Sequence, residues 1–375
     1  MPRQETSVMQ VRQEFVTVAQ HAGLSIAELC RRYGISRKTG YKWLARAAAG
    51  ERAFTGRSRR PSTSPQMTAP AIEAAVLALR DAHPVWGGRK LHHALLQQGM
   101  VQPVPAPSTI TAILRRHGRV PPPERAVHAY QRFEHPAPNA LWQLDFMGQP
   151  DLPLGKLHPL TVLDDHSRFA LVVAACPHQR EDLVQEHLTA AFRRYGLPRR
   201  ILTDNGSPWG GTGAGGMTGL EAWWLQLGIA VSHGRPYHPQ TQGKVERLHR
   251  TLWAEAVGTR PFRDLAEAQL RFDAWRAVYN HQRPHEALAY AVPASRYHPS
   301  PHPFPERLPP IRYGPDDAVR QVYHPGRISF RGQEYFIGHG LIGYPVAVRP
   351  TSDAGIVAVW YCQRQVATLD LTARP

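Results

Sequence analysis

Apolar positions recur at helical spacing through the first third of the chain, gather into short near-continuous runs in the middle, and alternate with polar ones at the end. Gln13–Ala22 reads as a first helix. Ser25 is an N-cap candidate with Glu28 three residues on, a capping box, and Ile26, Leu29 and Tyr33 follow at helical spacing. Gly34-Ile35 breaks that helix and Ser36 opens another, Ser36–Ala47, with Tyr41 and Leu44 toward its inner side. Helix, glycine turn, helix is the helix-turn-helix pattern, assigned to residues 1–50, although a plain helical hairpin has the same periodicity. Residues 51–67, rich in Gly, Ser, Pro and Arg, read as a linker. A second helical unit spans 68–118. Thr68–Ala82 carries Ile72, Val76 and Leu79 on one face, WGGRKLHHALLQQG gives a turn and a helix, and Ser108 caps a third with Ile110, Ile113 and Leu114 inside. Residues 119–138, with Pro121, Pro122 and Pro123 in a row, form the next linker.

From 139 the pattern becomes α/β and runs to 290. Leu141–Met147, Pro159–Asp164, Arg168–Ala175, Arg200–Thr203 and Ile229–Ser232 are strands; Asp182–Tyr195, Gln242–Ala256 and Asp264–Tyr279 are helices. A run of strands followed by alternating helices and strands predicts a mixed sheet covered by helices. Residues 291–311 are Pro- and His-rich and read as a linker. In 312–375 period-two runs such as Arg327–Phe330 and Ile356–Trp360 predict a small antiparallel β-barrel or sandwich. The fold class is therefore multidomain α+β.

Charge narrows the partner. Lys and Arg number 45 against 29 Asp and Glu, a net +16, in a chain of 375 residues. That surplus favours a polyanion, nucleic acid first and an anionic membrane surface second. No apolar run is long enough to span a bilayer, and MPRQETSVMQVRQEF has no signal-peptide core, so a soluble cytoplasmic protein, associated with the nucleoid, is expected. Cys30, Cys176 and Cys362 are far apart and form no CxxC pair, which fits reduced thiols. The second helix of the first unit carries Arg37, Lys38 and Lys42 with Tyr41, where a recognition helix would meet the major groove. Arg57, Arg59 and Arg60 of the linker are placed to follow a phosphate backbone, if the linker is not simply solvated. In the second unit Ser108, Arg115 and Arg116 are the corresponding DNA-contact candidates.

Three carboxylates carry the chemistry. Asp145 lies inside the apolar strand LWQLDFMG, Asp204 follows the strand in RRILTDNGSPW, and Glu246 is one turn into the helix after YHPQTQGKV. A charge among Leu144 and Phe146 needs a partner, and a metal ion is one. A phosphodiester repels an attacking hydroxyl. Two hard cations roughly 3.5–4 Å apart can hold the attacking and leaving oxygens and offset the growing charge. Asp164, Asp165 and His166 form a rival acidic cluster that fits a turn between strands.

The strings WQLDFMG, TVLDDHSR, ILTDNGSPW, RPYHPQTQGKVERLHRTL and YNHQRPHEAL, in this order over roughly 136–290, resemble the catalytic core of insertion-sequence transposases and retroviral integrases. The resemblance implies an RNase H-like core in which Asp145, Asp204 and Glu246 are the Asp-Asp-Glu triad and hold Mg2+ or Mn2+, with two ions expected. It also implies that Gln242 and Lys244 are candidates to touch substrate DNA, with an ordinary solvated lysine the alternative for Lys244, and that Asn205 and Gly206 shape the loop at the metal site. The 41 residues between Asp204 and Glu246 exceed the family's common spacing. The excess falls in the Gly-rich stretch Trp209–Met217, a loop that tolerates insertion. The function so implied is binding of an element's terminal repeats in double-stranded DNA, strand cleavage, and transfer to target DNA by a homo-oligomer. An inactive DNA-binding regulator and a nuclease of the same fold are the alternatives.

Overall fold

The computed structural model describes residues 8–21, 23–50, 67–119, 134–148, 151–152, 155–210, 216–234 and 242–372. The chain divides into two compact units, Met1–Met67 and Thr68–Pro375. Residues 51–66, with Arg57, Arg59 and Arg60, and most of 119–138 lie outside the described residues.

The first unit is three helices, α1 (Val8–His21), α2 (Ile26–Arg32) and α3 (Arg37–Ala48), around Phe15, Val16, Leu29, Cys30 and Trp43. Ser25 and Ser36 cap α2 and α3, accepting from the Glu28 and Thr39 amides. The Glu28 carboxylate bonds Arg31 and Arg32, one turn along its own helix, where the capping box would have turned it back to Ser25. Gly40 is where α3 crosses its neighbours: a Cβ there would meet Cys30 Sγ at 2.6 Å. Tyr41 corrects the sequence reading. It is 59% exposed, because Gly40 and Trp43 take the inward positions of that turn.

The second unit opens with α4 (Pro70–Ala82), α5 (Gly88–Gln98) and α6 (Pro107–Arg116), closed over Val76, Leu79, Trp86, Leu91, Leu95, Ile110, Ile113 and Leu114. The cap expected at Ser108 is absent. Pro107 takes the first helical position, where its missing N–H and fixed φ cost nothing, so Ala106 is the N-cap and Ser108 lies exposed in the first turn.

A five-stranded sheet in the order β5-β4-β1-β6-β7 follows. It is built from β1 (Trp142–Phe146), β4 (His158–Asp164), β5 (Ala170–Cys176), β6 (Arg200–Thr203) and β7 (Ala230–His233), with a short hairpin of β2 (Asp151–Leu152) and β3 (Gly155–Lys156) beside it. The first three strands pair antiparallel; β1, β6 and β7 run parallel. One sheet face packs on α7 (Glu181–Tyr195) and α8 (Gly219–Gln226) through Trp142, Leu144, Phe192 and Trp224. The other packs on α9 (Gly243–Leu252) and α10 (Leu265–His281) through Leu163, Val173, Leu248, Phe272 and Trp275. Asn280 ties α10 to the backbone of Ala170 with two hydrogen bonds, 2.8 and 3.0 Å. Residues 291–311 run along this core. The Ser300 amide bonds the Tyr195 carbonyl, and Tyr297 stacks on Phe169 at 4.4 Å.

The C-terminal strands are β8 (Ala318–Gln321), β9 (Arg327–Phe330), β10 (Gln333–Phe336), β11 (Pro345–Pro350), β12 (Ile356–Tyr361) and β13 (Arg364–Asp370). They form a four-stranded sheet, β13-β12-β11-β8, and a two-stranded sheet, β10-β9, around Val322, Ile328, Val346, Val359 and Tyr361. Ala222 of α8 enters this core as well. Among the described residues the three cysteines are free, and no helix is long and apolar enough to cross a membrane.

Candidate active site

Pleating decides which residues of β1 face the helix α9. Trp142 and Leu144 point into the α7–α8 core, so Gln143 and Asp145 point the other way. β6 lies parallel to β1, with Trp142 opposite Ile201 and Gln143 opposite Leu202. The pairing ends there, and Asp204 is the first residue beyond β6, on the strand next to that of Asp145. Both stand at the carboxyl ends of parallel strands, the usual ligand edge of such sheets.

Asp145 is the perturbed group. Burial, then the negative charge of Asp204 and more weakly that of Glu246, push its carboxyl up to about 7. The charges of Asp204 and Glu246 thus both act on Asp145 and disfavour its ionised form. Among the described residues no three His, Cys, Asp or Glu side chains converge into a ready cation cage. The donor set still suits a hard cation: all-oxygen ligands whose mutual repulsion a positive charge would relieve. Gly206 closes the loop on Asp204. Its amide donates to Asp204 Oδ1 at 3.0 Å, and a Cβ at 206 would approach Oδ2 to 3.2 Å. The Asn205 side chain reaches the Gly234 carbonyl at 3.0 Å.

Glu246 is placed by what holds the start of α9. The Val245 amide donates to Gln143 Oε1 at 3.3 Å, and Gln143 Nε2 donates to Asp165 Oδ1 at 2.8 Å. Lys244 Nζ reaches the same Asp165 oxygen at 2.5 Å. The rival acidic cluster therefore divides. Asp164 is the turn former, accepting from the Ser167 amide and hydroxyl and from the Asn139 amide. Asp165, 1% exposed, anchors the start of α9. Lys244 is partly buried and paired, and burial holds its pKa below the usual lysine range against the pull of Asp165.

Gln143 and Asp165 were not legible as site residues, since their partners lie 102 and 79 residues away. His249, one turn beyond Glu246, was also missed. Its Nε2 lies 2.7 Å from Thr161 Oγ1 and its Nδ1 3.9 Å from Asp145 Oδ2, and burial lowers its pKa to about 4, so the ring is neutral. The signal available for it was its position on the face of Glu246, three residues on. Gln143→Leu keeps the volume and deletes both hydrogen bonds. It is expected to destabilise the protein by about 2–4 kcal/mol, read as a lowered midpoint in urea.

The remaining candidates fall on two exposed helix faces. On α3, Arg37, Lys38, Tyr41 and Lys42 are all exposed. On α6, Ser108, Arg115 and Arg116 are exposed, and Arg116 is held by Glu73 at 2.7 Å. Gln242 is the N-cap of α9, and its side-chain nitrogen is buried without a hydrogen-bond partner among the described residues.

Two models of the integrase core domain match the chain, over residues 135–239 and 227–293, and between them hold Asp145, Asp204 and Glu246. The IS481 family transposase C-terminal domain matches 317–375. The chain thus carries an integrase core domain followed by a domain similar to the IS481 transposase C-terminal domain. The similarity extends to the helical units, where a helix-turn-helix domain matches 11–62 and a homeodomain-like domain 39–114. Among curated relatives, an uncharacterised protein of insertion element IS476 from Xanthomonas euvesicatoria is 25% identical over 289 residues, covering 76% of this chain and 75% of that protein. One of insertion element IS407 from Burkholderia multivorans is 28% identical over 158 residues, 42% of this chain. The match spans only 55% of the IS407 protein's length. A solved HTLV-2 integrase catalytic core domain in complex with magnesium aligns at 16% identity and a TM-score of 0.32, over 44% of this chain and 99% of that one.

Proposed function

We propose that this protein is a transposase that binds the terminal repeats of its element and catalyses DNA strand cleavage and strand transfer with Asp145, Asp204 and Glu246. The observation that carries the reading is that Asp204 and Glu246 both act on the buried Asp145 carboxyl, with the helix of Glu246 bonded back to the strand of Asp145 through Gln143. Asp145, Asp204 and Glu246 would hold Mg2+ or Mn2+, two ions in the family pattern, and the metal supplies charge stabilisation for the phosphoryl group in transfer. Gln143 and Asp165 orient α9, and the neutral His249 ring lies beside Asp145 without adding positive charge. Water attacks the phosphodiester at the element end and frees a 3′-hydroxyl. That hydroxyl attacks target DNA in line, exchanging one phosphodiester for another with no covalent enzyme intermediate.

The exposed faces of α3 and α6 read the repeats, and Arg57, Arg59 and Arg60 are candidates to contact the phosphate backbone. At the site itself, Gln242 at the start of α9 is a candidate to touch substrate DNA. Lys244 acts mainly through Asp165. Bringing two ends together calls for a homo-oligomer, working at the nucleoid. The test is a labelled duplex carrying the sequence that flanks the gene, incubated with protein and Mg2+ or Mn2+. Cleavage at the 3′ end of the repeat is expected, and binding without any cut in either metal would sink the reading. Binding should weaken steeply with salt, and Lys42→Ala should flatten the slope of log affinity against log salt by about 1, as measured by fluorescence anisotropy over a salt series.

A further inference from the structure

We propose that His233 is a positioning residue for Asp204, held in place by Glu221 and, through it, by Arg364 of the C-terminal sheets. The purpose assigned to it rests on the transposase reading; the geometry does not. His233 ends β7, next to the strand that delivers Asp204. Its Nδ1 lies 3.0 Å from the Asp204 carbonyl oxygen and 3.2 Å from Thr203 Oγ1. A carbonyl can only accept, so Nδ1 is the donor. On the far side of the ring, Nε2 lies 2.8 Å from Glu221 Oε1. Glu221 is 1% exposed and sits in the first turn of α8, where its Oε2 also accepts from the Thr218 amide at 3.1 Å. The third partner is Arg364 on β13, whose Nη1 reaches Glu221 Oε1 at 3.3 Å. Glu221 accepts from the Arg364 guanidinium and from His233 Nε2–H, and a His233 ring that donates from both nitrogens carries the chain to the backbone of a catalytic residue.

The carbonyl it grips is a sensitive one. β6 has just ended, and the direction of the Asp204 carbonyl sets where its side chain points. The neighbouring bonds, Gly234 amide to Thr203 carbonyl at 2.9 Å and Asn205 to Gly234 at 3.0 Å, stitch the two strand ends to each other. His233 ties that stitched corner to α8 and on to another domain. A cavity of about 280 Å³, lined by Asn205, Glu221, His233, Arg364 and Gln365 among others, lies along this chain. Whatever the C-terminal sheets bind near Arg364 is thus coupled to the placement of Asp204 through three side chains. Residues that orient a metal ligand from behind commonly cost 10–100-fold in metal affinity when removed.

The experiment uses the full chain with His233→Ala, His233→Asn and Arg364→Gln. Mn2+ binding is measured by electron paramagnetic resonance without DNA, and amide exchange is followed at Gly206 and Gly234. His233→Ala is expected to weaken Mn2+ binding by roughly tenfold or more and to speed exchange at both glycines. His233→Asn sets its side-chain N–H close to the place of Nδ1 and should recover most of the affinity. Arg364→Gln, a change at a half-exposed side chain, should give an intermediate loss. Wild-type Mn2+ affinity and unchanged exchange in His233→Ala would overturn the proposal. So would equal impairment of the Ala and Asn variants, which marks mere packing. If His233→Ala does not fold, exchange in Arg364→Gln decides in the same way. A wild type that binds no Mn2+ and joins no DNA would instead defeat the transposase reading, while the exchange data still judge the positioning role.

Discussion

Glu246→Gln is expected to lower metal-dependent DNA joining by at least about a thousandfold, the equivalent of some 4 kcal/mol at the transition state, with end binding unchanged. The substitution keeps the side chain's size and one acceptor oxygen and removes its charge. Glu246 is exposed, and the start of α9 is held by Gln143, Asp165 and Lys244 without it. The helix should therefore stay in place, and the loss should come from the site and not from the fold. Binding measured by gel shift and joining measured on the same preparation separate the two. A variant that joins at a tenth of the wild-type rate would show that the triad is wrongly drawn.

Asp164→Ala is expected to destabilise the protein by about 3 kcal/mol, lowering the melting midpoint by about 5 °C. Asp164 is fully buried and accepts from two backbone amides and a buried hydroxyl. Truncation leaves those donors without partners. Part of the cost is offset, because burial raises the Asp164 pKa above the usual carboxylate value. A raised folded-state pKa means that the carboxyl's contribution is greatest at acid pH and declines as pH rises through that pKa. The gap between wild type and variant should accordingly narrow from pH 4 to pH 7. Differential scanning calorimetry across that range checks both the size and the sign.

The parts of the fold that follow from local pattern were legible in the sequence. The strand of Asp145 and the strand before Asp204 lie within a residue of their expected ends, whereas the helix of Glu246, expected to Ala256, is α-helical only to Leu252 and goes on as a π-helical turn, Trp253–Val257. Ser25 and Ser36 were readable as caps because capping is a local geometry. α8 was not readable. Its sequence, GLEAWWLQ, is apolar nearly all round because it is covered by the catalytic core on one side and the C-terminal sheets on the other, so no helical stripe survives. The one local sign was the Thr218–Glu221 capping box. β13 was missed for the opposite reason: as an edge strand it is largely exposed, and its alternation is faint.

The site divides along the same line. Asp145, Asp204 and Glu246 are proposed from strings of neighbouring residues. Asp165 could not be told from an ordinary turn residue, since its two side-chain partners, Gln143 and Lys244, meet it only once β1 and α9 are packed. Pro107 shows how a single residue shifts a boundary, moving the start of α6 ahead of Ser108 and leaving that serine free for another role.

The central claim is that one site both cuts the element end and uses the freed 3′-hydroxyl as nucleophile. A pre-cut end duplex, offered with target DNA and Mg2+, tests it most directly when run beside the same duplex ending in a 3′-deoxynucleotide. The account predicts joined product from the hydroxyl end in the wild type, none from the deoxy end, and none from either in Asp204→Asn. Joined product from the 3′-deoxy end, or from Asp204→Asn at wild-type yield, would contradict it.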